Sequence, residues 1–166
     1  GSFCNNTSAQ TQGATYSRDL TTPDTTNGGI GGSLQQDDII IFNSGWASTS
    51  DDNPGVAGIT SEVADQYANA TQQDTNQSVG YLVCSASPPS SVTVTGSNNA
   101  ANGALAIAVA YRYVDPVTPM DVAAQAGVLT ASTVVDAGAI TPTSVGAKIV
   151  AALANSGDTT PVLSGT

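Results

Sequence analysis

The ten residues Ala104–Tyr113 constrain the fold more than any other stretch, because two kinds of residue alternate along them without a break. The larger set is Leu105, Ile107, Val109, Tyr111 and Tyr113, and the other set is Ala104, Ala106, Ala108, Ala110 and Arg112. A period of two places the sets on opposite faces of a β-strand. Alanine also favours a helix, but β-branched and aromatic residues on one parity favour the strand. We expect the large face to make the core, and the alanine face to let a second layer or a neighbouring molecule approach closely.

Two prolines end this strand in a stiff loop. Pro116 and Pro119 fix their own φ and move the residues before them out of the helical region. Asp115 precedes the first proline, and an aspartate there commonly caps its own turn. We expect Arg112 to pair with Asp115 or Asp121 and to fix the loop, so that these three residues form a structural clasp. Contact with a ligand is the alternative role of Arg112.

Further short strands are expected every ten to fifteen residues, separated by turns rich in Gly, Pro and Asn. The segments are Ala14–Leu20, Ile39–Phe42, Ile59–Ala68, Val79–Cys84, Val92–Thr95, Val128–Val135 and Gly146–Leu153. Ile59–Ala68 also has helical spacing, but as a strand it would form a hairpin with Val79–Cys84. Met120–Ala126 fits one or two helical turns. The pattern predicts one all-β domain over residues 1–166, an antiparallel two-sheet β-sandwich that is jelly-roll-like and has long polar loops.

A weak internal similarity links Ser33–Gly45 with Ser144–Gly157. In each segment a serine precedes an apolar run that ends in Asn-Ser-Gly. We interpret the two segments as similar strands of one sandwich, with chance similarity as the alternative.

The charge balance argues against two classes of partner. The 166 residues include 13 acidic and three basic ones, which gives a net charge of −10. Nucleic acids require clustered Lys and Arg, and anionic membranes attract basic segments, so neither is expected as a partner. No stretch reaches the length of a membrane span. With 10% charged residues, against about a quarter in typical domains, the composition is that of an extracellular or virion protein. The absence of a signal peptide and of an initiating Met indicates a processed chain or a fragment.

The sequence offers little catalytic chemistry. The absence of histidine removes Ser-His-Asp and Cys-His triads and His-based metal sites. No GxSxG motif or phosphate-binding loop is present, so we expect no enzyme, no catalytic residue and no cofactor. Oxygen atoms of Asp51, Asp52 and Asn53 could bind Ca²⁺, although solvated loop acids are the favoured interpretation.

The two cysteines leave two alternatives. Cys4 and Cys84 could form a disulfide if the first strand lies beside the strand around Cys84. Two buried free thiols are favoured, because cysteine buries readily as a small apolar residue.

Residues Tyr111–Asp121, read as YRYVDPVTPMD, resemble a "YRGVDPxTPID" signature. This signature belongs to a loosely defined β-sandwich family of bacteriophage virion proteins and some secreted bacterial proteins. Asp37–Phe42 is similar to the family's "GDLLVA" strand, Gly80–Val94 to its "VYxKVAxxxEPSSYTxT" segment, and Ala147–Leu153 to its late "NSLVVAA" strand. The resemblance covers most of Asp37–Leu153 and is specific at Tyr111–Asp121.

Two departures from the family pattern stand out. Tyr113 occupies the position of the signature glycine. The chain also stops at Gly165-Thr166, where such domains usually add a strand, so we expect either a shortened chain or a partner that completes its edge.

The resemblance implies a structural or adhesive role on a virus particle or cell surface, and no catalytic residues. We expect a structural protein of a bacteriophage virion, in capsid decoration or in a tail or fibre, that contacts other virion proteins or copies of itself. Trimers or other closed rings are expected because open strand edges invite pairing. The alternative is a secreted or surface glycan-binding or adhesion module. That alternative needs exposed aromatic residues, whereas Trp46, Tyr67, Tyr81 and Tyr111 lie in or next to expected strands, where core packing is the default.

Overall fold

The computed structural model describes residues 2–4, 15–19, 32–46, 51, 55–57, 61–68, 75–95, 104–125, 127 and 138–153. Within these ranges every regular element is a β-strand, so the all-β prediction is confirmed for this part of the chain. The strands are β1 (Ser2–Cys4), β2 (Thr15–Asp19), β3 (Ile39–Trp46), β4 (Gly55–Ala57), β5 (Ser61–Ala68), β6 (Thr75–Val83), β7 (Ser91–Thr95) and β8 (Ala104–Tyr111). A search of the same residues finds no helix with the length and apolar character needed to cross a membrane.

All strand pairs described are antiparallel. One sheet has the order β1-β8-β3-β6-β5, and a second has the order β2-β7-β4. The predicted hairpin is confirmed as β5 paired with β6. The stretch of alternating residues forms strand β8 as expected, and β8 lies between β1 and β3.

The core is centred on β3, where the large side chain of Phe42 lies between two small residues. Phe42 is opposite Ala108 of β8 on one side and opposite Gly80 of β6 on the other. Ile40, the next residue on that face, is opposite Ala110 and Leu82. Cross-strand neighbours are only about 5 Å apart, so a phenyl ring on the middle strand fits best where both neighbours are small. Ile40, Phe42, Cys84, Ala108 and Ala110 form the buried cluster.

The expectation that the large face of β8 makes the core was wrong. Ala108 is 0% exposed, whereas Ile107 on the large face is 39% exposed. The alanine face is the core face, because β3 already supplies the volume there through Ile40 and Phe42. Alternation along β8 defines two faces, but the volume contributed by its neighbour determines which face is buried.

Two further element predictions were also wrong. The helical turn expected over Met120–Ala126 is absent from residues 120–125, which are irregular. Residues 146–153 do not form a strand, although their residue pattern is typical of one. Ser33–Gly45 contains most of β3, whereas residues 146–153 form no strand. The two similar segments are therefore not two similar strands. The strand expected at Val128–Val135 lies outside the described residues.

The packing around Phe42 predicts which face of β8 tolerates change. Ala108→Leu should lower the free energy of unfolding by about 1–3 kcal/mol, because the added atoms overpack the space beside the ring. Ile107→Ala should lower the free energy of unfolding by less than the same truncation at a fully buried site, where about 2–5 kcal/mol is typical. The reason is that Ile107 is already partly exposed. Urea unfolding of both variants measures the two changes. A larger loss for Ile107→Ala than for Ala108→Leu would contradict this assignment of faces.

Candidate functional site

A buried ion pair lies where β3 begins and β8 ends. The Arg112 guanidinium donates from Nε to Asp38 Oδ1 and from Nη2 to Asp38 Oδ2, both at 2.8 Å. Nη2 also donates to the Ser33 carbonyl at 3.1 Å. The Asp38 side chain is only 3% exposed and that of Arg112 is 21% exposed, so water has little access to the carboxylate. The expected pairing of Arg112 with Asp115 or Asp121 was therefore wrong.

Strand register explains why these two residues meet. Ile39 is opposite Tyr111 in the β3–β8 ladder, so Asp38 and Arg112 occupy the next position beyond the last pair. The pair was missed because the sequence does not show which strands are neighbours. The available signal was an acid directly before a buried strand, in a chain with only three basic residues.

Asp38 also closes the turn that leads into β3. Its backbone N–H donates to the Gln35 carbonyl at 3.2 Å, and its Oδ2 accepts the Gln35 N–H at 2.8 Å. Asp37, within this turn, has a φ of +68°, a conformation that Asp tolerates better than most residues. The Arg112 hydrogen bonds lower the pKa of Asp38, against the opposing effect of burial. The carboxylate is thus held ionised and fixes both the turn and the end of β8.

Cys84 lies next to this turn and carries a free, buried thiol. Its N–H donates to the Asp38 carbonyl at 2.8 Å, and its carbonyl accepts the Asp37 N–H at 2.9 Å. Burial, with a contribution from the Asp38 charge, raises the pKa of the thiol to about 11. A thiol with so high a pKa is a poor nucleophile at neutral pH. Cys4 is on β1, which β8 and β3 separate from β6; its side chain lies outside the described residues.

Asp115 caps the turn at the first proline, as expected. Its Oδ1 accepts the Val117 N–H at 2.8 Å and the Thr118 N–H at 3.3 Å, and its Oδ2 accepts the Thr118 hydroxyl at 2.8 Å. The Thr118 hydroxyl and the two N–H groups lower the pKa of Asp115. Tyr113, two residues earlier, has a φ of +65°, in the left-handed region that glycine adopts readily. The position where the family signature has glycine is therefore one where the backbone favours it.

Asp121 joins the proline loop to a distant part of the chain. It accepts the Thr143 N–H at 2.6 Å, the Thr143 hydroxyl at 2.9 Å and the Ser144 N–H at 3.2 Å. Hydrogen bonds from Ser144 and Thr143 lower the pKa of Asp121 to about 2. The three residues expected to form one clasp are thus divided among three contacts: Arg112 with Asp38, Asp115 within its own turn, and Asp121 with residues 143–144.

This link holds residues 120–121 beside residues 143–145, and exposed apolar side chains occur in both segments. Met120 is adjacent in sequence to Asp121, and Val145 is adjacent to Ser144. We call these side chains the apolar surface: Val117, Met120, Val145, Ile149 and Val150, all exposed. Since the nearby carboxylates accept hydrogen bonds within the chain, this surface is suited to binding through apolar contact.

The calcium hypothesis stays untested. Asp51 is exposed, whereas Asp52 and Asn53 lie outside the described residues. In the described ranges no group of three His, Cys, Asp or Glu residues could hold a metal ion.

Removing Arg112 should strongly destabilise the protein. Arg112→Ala leaves a buried carboxylate without its partner, a type of change that typically costs about 3–5 kcal/mol. Arg112→Lys keeps the charge but loses the bidentate hydrogen bonding to Asp38, so the free energy of unfolding should fall by an intermediate amount. The control Lys148→Ala removes an exposed cation and should cost less than about 0.5 kcal/mol. Thermal and urea unfolding measure these effects, and an unchanged melting temperature with lost ligand binding would assign Arg112 to a ligand instead.

Asp121 should make stability depend on acid pH. Its pKa in the folded state, about 2, lies below the unfolded value of about 3.9, so its contribution is present above pH 4. The contribution is lost as the pH falls from about 4 to 2, where the folded-state carboxylate becomes protonated. Asp121→Asn should therefore reduce stability at pH 6 and converge with the unsubstituted chain near pH 2. Urea unfolding across this pH range tests the prediction, and a difference in stability that does not change with pH would contradict it. Thr143→Val should lose less stability than Asp121→Asn, because the two backbone donors to Asp121 remain.

Comparison with known proteins identifies no relative. No protein-family model matches the chain, and no curated protein and no solved structure matches it. The resemblance to the virion family therefore depends on the residues of the signature itself.

Proposed function

We propose that this chain is a non-enzymatic structural protein of a bacteriophage virion, in capsid decoration or in a tail or fibre. It acts through contacts with other virion proteins or with copies of itself. The observation that carries this proposal is the apolar surface, where Val117, Val145 and Ile149 are well exposed beside a loop fixed by internal hydrogen bonds.

The energetics of this surface favour protein binding. Burying these exposed apolar side chains against a partner would contribute about 25 cal/mol per Å² of apolar surface removed from water. Asp115 and Asp121 already accept hydrogen bonds within the chain, so the loop has little conformational freedom to lose on binding. A rigid apolar surface of this kind suits a permanent assembly.

We also propose that the two sheets form the jelly-roll-like β-sandwich expected from the sequence. Ala108 and Ala110 are almost fully buried, and alanine side chains are too short to cover one another. A second layer must therefore cover the alanine face, and the β2-β7-β4 sheet is our candidate for that layer. The positive φ of Tyr113, at the glycine position of the signature, further supports the resemblance from which this fold was expected.

The association with particles can be tested by electron microscopy. Gold-labelled antibodies against the chain should decorate intact phage particles at regular positions, and mass spectrometry of the purified particles should detect the chain in stoichiometric amounts. Antibodies against a known capsid protein of the same particles provide the positive control. Particles that lack the chain would contradict the proposal, and selective binding on a glycan array would then favour the adhesion module.

A further inference from the structure

Residues 147–153 have the sequence of a strand but pair with none of the described strands. The segment reads AKIVAAL, and no residue in it has a strand assignment. Ile149 is 64% exposed and its neighbour Val150 is 41% exposed, although neighbours in an extended chain point in opposite directions. Two apolar residues on opposite sides of one backbone are typical of a strand covered on both faces.

The contacts of this segment lie at its ends. Ala147 N–H donates to the Ser144 carbonyl at 3.3 Å, and the Leu153 carbonyl accepts from Asn43 Nδ2 at 3.0 Å. Asn43 is itself oriented by Gln77, whose Nε2 donates to Asn43 Oδ1 at 2.8 Å. The segment is thus anchored at both ends, and its middle residues are left exposed.

Among the described strands, β5 offers the longest sheet edge. It forms one end of the five-stranded sheet and has eight residues, whereas the strands at the other sheet edges, β1, β2 and β4, have three, five and three. An edge strand presents unpaired N–H and C=O groups, to which a further strand can bind. A β-bulge interrupts the register between Glu62 and Ala64, so the regular part of the edge runs from Ala64 to Ala68.

Opposite charges favour the pairing of residues 147–153 with the edge of β5. Lys148 is exposed, while Arg112, another of the three basic residues, is bound to Asp38. The regular part of β5 includes Asp65, and Glu62 lies just before it. A lysine on the added strand is favourable beside an acidic edge, because opposite charges on adjacent strands attract.

We infer that residues 147–153 of one copy add as a strand to the β5 edge of a second copy, with Lys148 near Asp65. This inference rests on the proposed role in a virion and names the self-contact used there. The donor segment and the acceptor edge are different surfaces, so the contact is head-to-tail. Repetition of such a contact closes a ring or extends a filament.

The donor and acceptor surfaces can be separated by charge reversal in the full chain. Sedimentation velocity over a range of concentrations should show self-association that Lys148→Glu weakens about tenfold or more, and that Asp65→Lys weakens equally. A mixture of the two single variants should recover association in alternating order, because one contact pairs an unsubstituted donor with an unsubstituted acceptor and the other pairs the two exchanged charges. The double variant should recover association, because the exchanged charges attract again.

A second measurement locates the contact. Hydrogen exchange should slow at the amides of residues 147–153 as the protein concentration rises, and Ile149→Asp should abolish that change. The control Ala139→Asp introduces the same charge at an exposed position outside the apolar surface and outside residues 147–153, and it should leave association intact. Circular dichroism of each variant confirms that it is folded.

Three outcomes would overturn the inference. They are a chain that stays monomeric at all concentrations, an equal effect of Ala139→Asp and Ile149→Asp, and single variants that fail to associate when mixed. None of these outcomes bears on whether gold-labelled antibodies decorate the particles, so the inference and the proposed function can fail separately.

Discussion

The ion pair between Asp38 and Arg112 is the interaction on which the rest of the described structure depends. It joins the first residue before β3 to the first residue after β8, at the end of the longest ladder that β8 makes. A shift of one residue in that ladder would separate the two charges and bury the carboxylate alone, which is a far larger cost than the loss of one backbone hydrogen bond. The pair therefore disfavours other registers of β3 and β8, and with them other ways of placing Phe42 beside Ala108.

Asp38 links three parts of the structure. Its carboxylate accepts the Gln35 N–H, which closes the turn, and it accepts hydrogen bonds from the Arg112 guanidinium. Its backbone carbonyl accepts the Cys84 N–H at the end of β6. Three strands of the sheet thus begin or end within hydrogen-bonding distance of one residue or its backbone. The proline loop starts directly after Arg112, so the position of the loop and of its exposed apolar side chains is set from the same point.

Local patterns predicted the local parts of this structure. Alternation identified β8, a short apolar run identified the first half of β3, and an aspartate before proline predicted the Asp115 turn. The errors concern partners that are distant in the sequence. Asp38 is 74 residues from Arg112, and the choice of core face on β8 depends on Phe42 of β3. Residues 146–153 show the same limit of sequence-based prediction. Their pattern is that of a strand, but the pattern does not show whether another strand lies beside them.

The state of Cys84 has a consequence for where the protein can work. Its sulfur is shielded from solvent and remains protonated, so oxidants and reductants alike have little access to it. The strands around it need no covalent cross-link, and their packing is the same in the reducing interior of a cell and in the oxidising medium outside. The stability of this part of the chain therefore does not depend on the redox potential of its surroundings.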